Sequence, residues 1–234
     1  MGDISAFITL PLDDLVPTFD PSKGSFVAES PSTQNTITTL SLTPHMEGGY
    51  YTQTHVNPLL VPSPFPKHPA SKEQDLPQRE ASFDPAYRCL DTSIFYYLTP
   101  NRPRGAFHRN RCAIVHSLHR GRGMYVIIHP SGIPGESRVE TYMVGHGIEN
   151  REKLQWTVDG GAYKASFLLP DNPEEVLAGS DAKTNGLLIT EVAVPGFEFY
   201  DHDFLTKENL VELVGEERAK GLEWLVRGPW DGRV

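Results

Sequence analysis

The sequence predicts an all-β barrel or sandwich that ends in short helices. From residue 88 onward, short runs of branched and aromatic residues recur, and Gly, Pro, Asn and Asp separate them. Short strands at regular intervals with turn residues between them are typical of barrels and sandwiches. The predicted strands are Thr92–Leu98, Ala113–Leu118, Met124–His129, Arg138–Val144, Leu154–Val158, Tyr163–Leu169 and Leu187–Val194.

Two of these runs, Met124–His129 and Leu187–Val194, are too uniformly apolar for a sheet that has one solvent-exposed face. We expect them to be buried on both faces or to lie at a contact between subunits. After the strands, Thr206 is placed to cap a helix. The apolar residues that follow recur at helical spacing; they are Leu210, Leu213, Val214, Ala219, Leu222, Leu225 and Val226.

The chain is predicted to be one domain in three parts: an N-terminal arm over residues 1–36, the barrel over 37–205 and the helices over 206–234. Near the first boundary, a loop is predicted over Ala28–Asn35 and a strand over Thr36–Leu42. Residues 57–86 carry seven of the twenty prolines. Since proline cannot donate to a strand ladder, this segment is predicted to be an insertion, either a lid or a loop on the surface.

Charge and cysteine content exclude several classes of protein. The chain has 30 acidic and 21 basic residues, a net charge of −9. Nucleic-acid binding needs clustered Lys and Arg, so we predict no such partner. Cys89 and Cys112 form no CxxC pair, which disfavours structural zinc. The chain lacks an apolar run of ~20 residues and a signal-peptide pattern, so we predict no membrane association and a cytoplasmic protein.

Four short motifs occur along the chain in a recognisable order. They are EGGYY at Glu47–Tyr51, TSIFYYL at Thr92–Leu98, GAFHR at Gly105–Arg109 and VPGFEF at Val194–Phe199. Their order and spacing resemble the little-characterised cupin family often called cupin family five. The resemblance implies a double-stranded β-helix, or jelly-roll barrel, usually paired into a homodimer. It also implies a fold similar to that of the deoxysugar 3,5-epimerases and germin-like proteins.

The chain departs from the pattern of that family at places where carboxylates are common. Family members follow the FHR triplet with an acidic residue and a Trp-His pair, where this chain has Ile114, His116 and Ser117. Arg-Glu-Thr after the Gly-Gly-Tyr motif is replaced by Thr52–Thr54, and a Pro-Ala-Gly-x-Trp-Phe turn by Asp159–Lys164. The resemblance therefore implies a retained barrel with altered chemistry in its pocket.

A metal site is one hypothesis for that pocket. The commonest cupin site needs two His one residue apart, because alternation along a strand turns both to one face. The chain has no such pair, and His116 and His119, three apart, are predicted to face opposite sides. His108 and His116 lie an even number of positions apart and could meet across a turn, but the pattern supplies no carboxylate partner for them. We predict no cofactor and keep a divalent metal as the alternative.

Metal-free acid–base chemistry is the favoured hypothesis. The epimerases that the fold resembles use a His base and a Tyr acid across the substrate. A neutral imidazole can remove a proton next to a carbonyl near neutral pH, and a phenol can return one or stabilise an enolate. The candidate catalytic residues are His108, His116, Tyr163 and Tyr51. The candidate substrate-binding residues are Glu47, Gln53, Arg109 and Lys164.

We therefore predict a cupin enzyme that performs non-redox isomerisation, epimerisation, dehydration or cyclisation on an oxygenated small molecule, in secondary metabolism. The sequence contains no Gly-x-Ser-x-Gly elbow and no Gly-rich phosphate loop, which disfavours hydrolase and nucleotide-binding classes. Two alternatives remain open: a metal-dependent cupin, such as a dioxygenase or a metal-assisted isomerase, and a non-catalytic module that only binds a ligand. Purely structural roles are also open for His108 and for Arg109, which could pair with Glu47.

Overall fold

The computed structural model describes residues 15–19, 29–66, 84–174 and 183–228. The strands are β1 Thr43–Pro44, β2 Tyr50–Val56, β3 Leu60–Pro62, β4 Tyr87–Cys89, β5 Thr92–Leu98, β6 Arg104–Asn110, β7 Ala113–Arg120, β8 Arg122–His129, β9 Arg138–Val144, β10 Gln155–Val158, β11 Tyr163–Leu169, β12 Leu187–Val194 and β13 His202–Phe204. The helices described in full are α1 Pro31–Thr39, α2 Lys207–Val214 and α3 Glu216–Leu222.

The strands form an all-β jelly-roll barrel of two antiparallel sheets. One sheet has six strands in the order β1-β2-β5-β12-β7-β10, and the other has five in the order β13-β6-β11-β8-β9. Strands β3 and β4 form a separate ribbon. Side chains from both large sheets meet in one apolar cluster that fills part of the space between them. The predicted fold class is confirmed, and strands β5, β9, β11 and β12 have the predicted bounds.

The five-stranded sheet is buried on both faces, as predicted for Met124–His129. Along β8, Met124, Val126 and Ile128 pack into a cluster with the C-terminal helices. Tyr125 and Ile127 face the other way and join the cluster between the sheets. Because successive residues of a strand alternate between its faces, an apolar run is needed when both faces are covered.

The C-terminal helices form as the sequence predicts. The Thr206 side chain accepts a hydrogen bond from the backbone N–H of Asn209 and caps α2. Leu210 and Leu222 are fully buried against the five-stranded sheet, and Leu15 of the N-terminal arm packs into the same cluster. Within the described residues, no helix combines the length and the apolar character needed to cross a bilayer.

The strand predicted over Thr36–Leu42 is wrong, because most of that segment belongs to α1. Ser30 caps the helix by accepting a hydrogen bond from the backbone N–H of Thr33, and Pro31 occupies the first turn. The Thr36 hydroxyl donates to a carbonyl one turn earlier, which satisfies it within the helix. The Ser-Pro start therefore outweighs the β-branched content, and the helix also replaces the second half of the predicted loop.

Strand β3, near the start of the Pro-rich insertion, pairs with β4, which begins directly after the insertion ends. Residues 67–83, its middle part, lie outside the described residues, so its role as a lid or a surface loop stays a prediction. Arg88 on β4 is buried and donates two hydrogen bonds to the carboxylate of Asp201, at 2.7 and 3.0 Å. This buried ion pair joins the ribbon to the segment that precedes β13.

Candidate functional site

Two pairs of polar residues, each directly opposite one another on neighbouring strands, turn their side chains into the space between the two sheets. His116 on β7 lies opposite Glu191 on β12, and His108 on β6 lies opposite Lys164 on β11. The ammonium Nζ of Lys164 lies 2.6 Å from Glu191 Oε2 and 3.0 Å from His116 Nε2. Lys164 therefore bridges from the five-stranded sheet to two residues of the six-stranded sheet.

Burial sets the protonation of this group. Burial lowers the pKa of His116 well below its ordinary value, and the nearby Lys164 ammonium lowers it further. His116 is therefore a neutral imidazole whose Nε2 accepts a hydrogen bond from Lys164. Burial raises the pKa of Glu191, while Lys164 acts in the opposite direction. Glu191 thus holds a proton at higher pH than an exposed carboxyl would.

A second cluster surrounds the carboxylate of Glu47. His202 Nε2 lies 2.9 Å from Oε1, while His108 Nε2 and His45 Nδ1 lie 3.3 and 3.4 Å from Oε2. Burial alone would raise the pKa of Glu47, but the positive charge of protonated His108 and His45, together with the hydrogen bond from His202, outweighs burial and holds that pKa well below its usual value. Glu47 is therefore an ionised acceptor in the barrel interior.

The tautomer of His108 follows from its hydrogen bond. Its Nδ1 lies 2.8 Å from the carbonyl oxygen of Ala106, and because a carbonyl can only accept, Nδ1 carries the proton. Burial lowers the pKa of His108 to about 3, so the ring is neutral near pH 7. Its Nε2 then holds a lone pair, and this atom has no hydrogen-bond partner within the described residues despite its distance of 3.3 Å from Glu47.

Two glycines let the backbone carry Glu47 into the interior. Gly48 has φ +108°, and a Cβ there would lie 2.1 Å from the carbonyl oxygen of Arg104. The carbonyl of Glu47 accepts a hydrogen bond of 2.7 Å from the N–H of Ala106 on β6. Gly49 has φ +66°, and a Cβ there would lie 2.8 Å from the carbonyl oxygen of Tyr97, so both glycines of the EGGYY motif are required by close backbone contacts.

A cavity of about 180 Å³ opens beside both clusters. The carboxyl-bearing residues Glu47 and Glu191 form part of its wall. Its aromatic lining contains two edge-to-face pairs, with ring centroids 4.4 Å apart for His45 and Tyr51 and 5.0 Å apart for Phe197 and Phe199. The arrangement offers proton-accepting groups next to flat apolar surfaces.

Comparison with known proteins identifies the family. A family model described as "Cupin superfamily (DUF985)" matches residues 34–205. The chain belongs to the cupin superfamily. This cupin is also 40% identical over 199 residues to a Saccharomyces cerevisiae protein described as "Uncharacterized protein YML079W", a match that covers 84% of this chain and 88% of the yeast protein.

Two solved structures share the fold of this cupin. A hypothetical protein from Leishmania major is 23% identical, with 83% of this chain and 98% of that chain covered and a TM-score of 0.61. Protein SO0799 from Shewanella oneidensis is 20% identical, with 86% and 99% covered and a TM-score of 0.57. At these identities the likeness shows the fold alone, and it agrees with the jelly roll that the motifs predict.

Six of the eight predicted site residues lie at or behind the cavity of the cupin. Three line it, namely Glu47, Tyr51 and Gln53. Three contact the cavity-lining carboxyl groups from the barrel interior, namely His108, His116 and Lys164. The predicted contrast between His116 and His119 is also seen, since His116 is fully buried and His119 is exposed.

Tyr163 and Arg109 lie elsewhere, which corrects their predicted place in the pocket. Tyr163 packs into the cluster between the five-stranded sheet and the C-terminal helices. Arg109 pairs with Asp203, rather than with Glu47, and its guanidinium lies 4.7 Å from the centre of the Tyr163 ring. Neighbours in a strand face opposite sides, so with His108 and Lys164 turned inward both residues must face outward.

Several residues at the cavity were missed by sequence reasoning. Glu191 is the one charged residue in the apolar strand β12, and that contrast was an available signal. His45 and His202 lie outside every predicted strand, so their parity carried no information. Phe197 and Phe199 belong to the VPGFEF motif, whose sequence does not show that their rings line the pocket.

The donors around Glu47 do not have the arrangement of a metal centre. Among the described residues, no group of three or more His, Cys, Asp or Glu side chains is placed to hold a metal ion. The three imidazoles approach the oxygens of the Glu47 carboxylate, one at Oε1 and two at Oε2. These residues therefore do not fit a resident divalent ion.

Proposed function

We propose that this cupin catalyses non-redox proton transfer on a small oxygenated molecule held in the cavity. The observation that supports this proposal is the position of Glu191, a cavity-lining carboxyl whose pKa is raised by burial and whose Oε2 lies 2.6 Å from Lys164 Nζ. Such a group can take a proton from a carbon next to a carbonyl and return it. Isomerisation, epimerisation, dehydration and cyclisation share this step.

Each side chain has a defined role in this proposal. The Glu191 carboxylate removes the proton, and the resulting enolate oxygen accepts a hydrogen bond from the Tyr51 hydroxyl, which lines the same cavity. Glu191 then returns the proton to the same or a neighbouring atom. Lys164 stabilises the carboxylate form of Glu191 through its hydrogen bond, and neutral His116 holds the ammonium in place by accepting its second one.

The predicted imidazole bases take a different part in this arrangement. His108 and His116 do not line the cavity; each contacts a carboxyl that does. We therefore assign them as positioning residues and Glu191 as the proton-transferring group. Gln53, which is exposed at the edge of the cavity, is assigned to orient the substrate.

Deuterium exchange tests the proposal even when the product of the reaction is unidentified. The full chain is incubated in D₂O with a panel of small ketones, aldehydes and hydroxyketones, and mass spectrometry reads deuterium at the carbon next to each carbonyl. We expect protein-dependent incorporation that falls by roughly 100-fold or more in Glu191→Gln, the range of general acid–base catalysis. His119→Gln changes an exposed histidine of the same strand as His116 and should leave the exchange unchanged.

Two results would defeat the proposal. One is a panel without any protein-dependent incorporation, which would favour the module that only binds a ligand. The other is incorporation that persists at full rate in Glu191→Gln. The homodimer, the cytoplasmic location and the place in secondary metabolism stay predictions from the sequence; light scattering of the purified chain checks the first of them.

A further inference from the structure

The wall of the cavity disfavours a negatively charged ligand. Glu47 and Glu191 both line it, and none of the described residues that line it is Lys or Arg. The nearest ammonium, that of Lys164, is buried and already engaged by Glu191 and His116. A carboxylate or phosphate in this space would face two carboxyl-bearing side chains, and the described lining offers it no Lys or Arg to pair with.

Asn110 places an unmet hydrogen-bond acceptor next to the cavity. This residue lines the cavity, is only 6% exposed, and its side-chain Oδ1 has no hydrogen-bond partner within the described part of the chain. Buried polar atoms are nearly always paired in folded proteins, so an orphaned one beside a cavity points to a ligand. An N–H or O–H group of that ligand would satisfy Oδ1.

The size and lining of the cavity limit the ligand further. Its volume of about 180 Å³ is below the ~300–1,000 Å³ of pockets for drug-sized molecules, whereas ~150 Å³ is enough for benzene. Tyr51, Phe197 and Phe199 offer ring faces and edges against which a flat molecule can pack. The space fits one ring with a short substituent.

We infer that the cavity binds a small single-ring molecule that carries N–H or O–H donors and no negative charge. Its donors bind Asn110 Oδ1 and the carboxyl oxygens of Glu47 and Glu191, and its ring packs against the aromatic lining. This inference rests on the proposed function for the choice of this cavity as the reaction site. It excludes substrates that carry a phosphate or a carboxylate group.

Three probes of nearly equal shape separate charge from size. Benzamidine is a cation, benzamide is neutral and benzoate is an anion; the first two carry N–H donors, and benzoate offers only acceptors. Isothermal titration of the full chain near neutral pH should show binding of benzamide and benzamidine, with benzoate weaker by roughly tenfold or more. Benzoate binding as tight as that of benzamide, or no binding by any probe, would overturn the inference.

Variants at Asn110 test the acceptor. Asn110→Leu should weaken benzamide binding by roughly 2- to 10-fold, the net value of one hydrogen bond, and leave benzoate unchanged. Asn209→Leu, at an exposed position of α2, is the matched control and should change neither affinity. Unchanged benzamide affinity in a folded Asn110→Leu protein would show that Asn110 Oδ1 does not accept a hydrogen bond from the ligand.

A second variant keeps the test decisive if Asn110→Leu does not fold. Asn110→Asp preserves the size of the side chain and its acceptor oxygen, and it should tighten benzamidine binding relative to benzamide. An unchanged or reversed ratio of the two affinities counts against the inference. The probe experiments measure binding, whereas deuterium exchange measures turnover. If exchange fails but the probes bind in the expected order, the proposed function is wrong and the inference about the ligand holds. If exchange occurs but the probes bind in another order, the inference about the ligand is wrong and the proposed function holds.

Discussion

The ammonium of Lys164 on β11 and the carboxylate of Glu191 on β12 join the two sheets of the barrel across 2.6 Å. Both side chains are largely withdrawn from solvent, with 4% and 11% of their surface exposed. Removing two charges from water is costly, and only their close contact and further hydrogen bonds offset that cost. Each partner is therefore needed to keep the other in the interior.

Replacing one partner of this pair should destabilise the barrel more than replacing both. Lys164→Met leaves Glu191 buried without its cation and should lower the free energy of unfolding by about 3–5 kcal/mol, whereas Lys164→Met with Glu191→Leu should recover most of that loss. Urea unfolding measures both. Lys220→Met, which removes an exposed ion pair with Glu217, is the control and should cost less than ~1 kcal/mol. A double variant as unstable as Lys164→Met would contradict the account.

The buried pair between Arg88 and Asp201 should hold the β3–β4 ribbon on the barrel. Arg88→Leu removes the closest ion pair of the buried Asp201 carboxylate, at 2.7 Å, and leaves Arg111 at 3.7 Å, so it should lower the free energy of unfolding by about 3–5 kcal/mol. Arg138→Leu removes an exposed guanidinium that pairs with the partly buried Glu140 and should change the free energy of unfolding by less than ~1 kcal/mol. Equal effects of the two substitutions in denaturant titrations would show that burial of Arg88 does not matter.

The close contact between Gly48 of the EGGYY motif and the backbone of Arg104 should make this glycine hard to replace. Gly48 and Gly132 both have positive φ, so an alanine is strained at either place. A Cβ at Gly48 would lie 2.1 Å from a carbonyl oxygen, while one at Gly132 would meet nothing within 4 Å. Gly48→Ala should therefore cost roughly 2 kcal/mol more than Gly132→Ala in thermal or urea unfolding. Equal costs would mean that the two backbones are not in contact there.

His108 should make the fold sensitive to acid. Burial lowers the pKa of His108 in the folded chain to about 3, from an ordinary value of 6.5, so the unfolded chain binds this proton first as the pH falls. The contribution of His108 to stability is therefore complete above about pH 6.5 and is lost progressively towards pH 3. His108→Gln cannot take up the proton, and its free energy of unfolding should decline less steeply across that window.

The matched control for this measurement is His119→Gln, which changes an exposed histidine. It should keep the acid sensitivity of the unaltered chain in urea unfolding at a series of pH values. Parallel pH profiles for His108→Gln and the unaltered chain would refute the depressed pKa of His108.

The strands were predictable because their patterns are local. Runs such as Tyr163–Leu169 are bounded by turn residues, and the double burial of Met124–His129 can be read from its unbroken apolar character. The N-terminal helix was missed because its start depends on one cap, Ser30 followed by Pro31, which competes with a β-branched run. The outcome there depends on the two residues at the start of the helix and not on the composition of the segment.

The site was only partly predictable because it depends on which residues of different strands meet. Parity along a strand shows that His108 and Arg109 cannot both face inward, and the same holds for Tyr163 and Lys164. Parity does not show which member of each pair does. That choice depends on the C-terminal helices, which cover the outer face of the five-stranded sheet and pack against Tyr163.

The most direct test of the account is the titration of Glu191 itself. In protein labelled with ¹³C at the glutamate carboxyl carbon, the signal that disappears in Glu191→Gln belongs to this residue, and its shift can be followed with pH and with added benzamide. The account predicts an apparent pKa above the ordinary 4.5 and a response of that signal to benzamide. A pKa at or below 4.5, with no response to the probe, would contradict it.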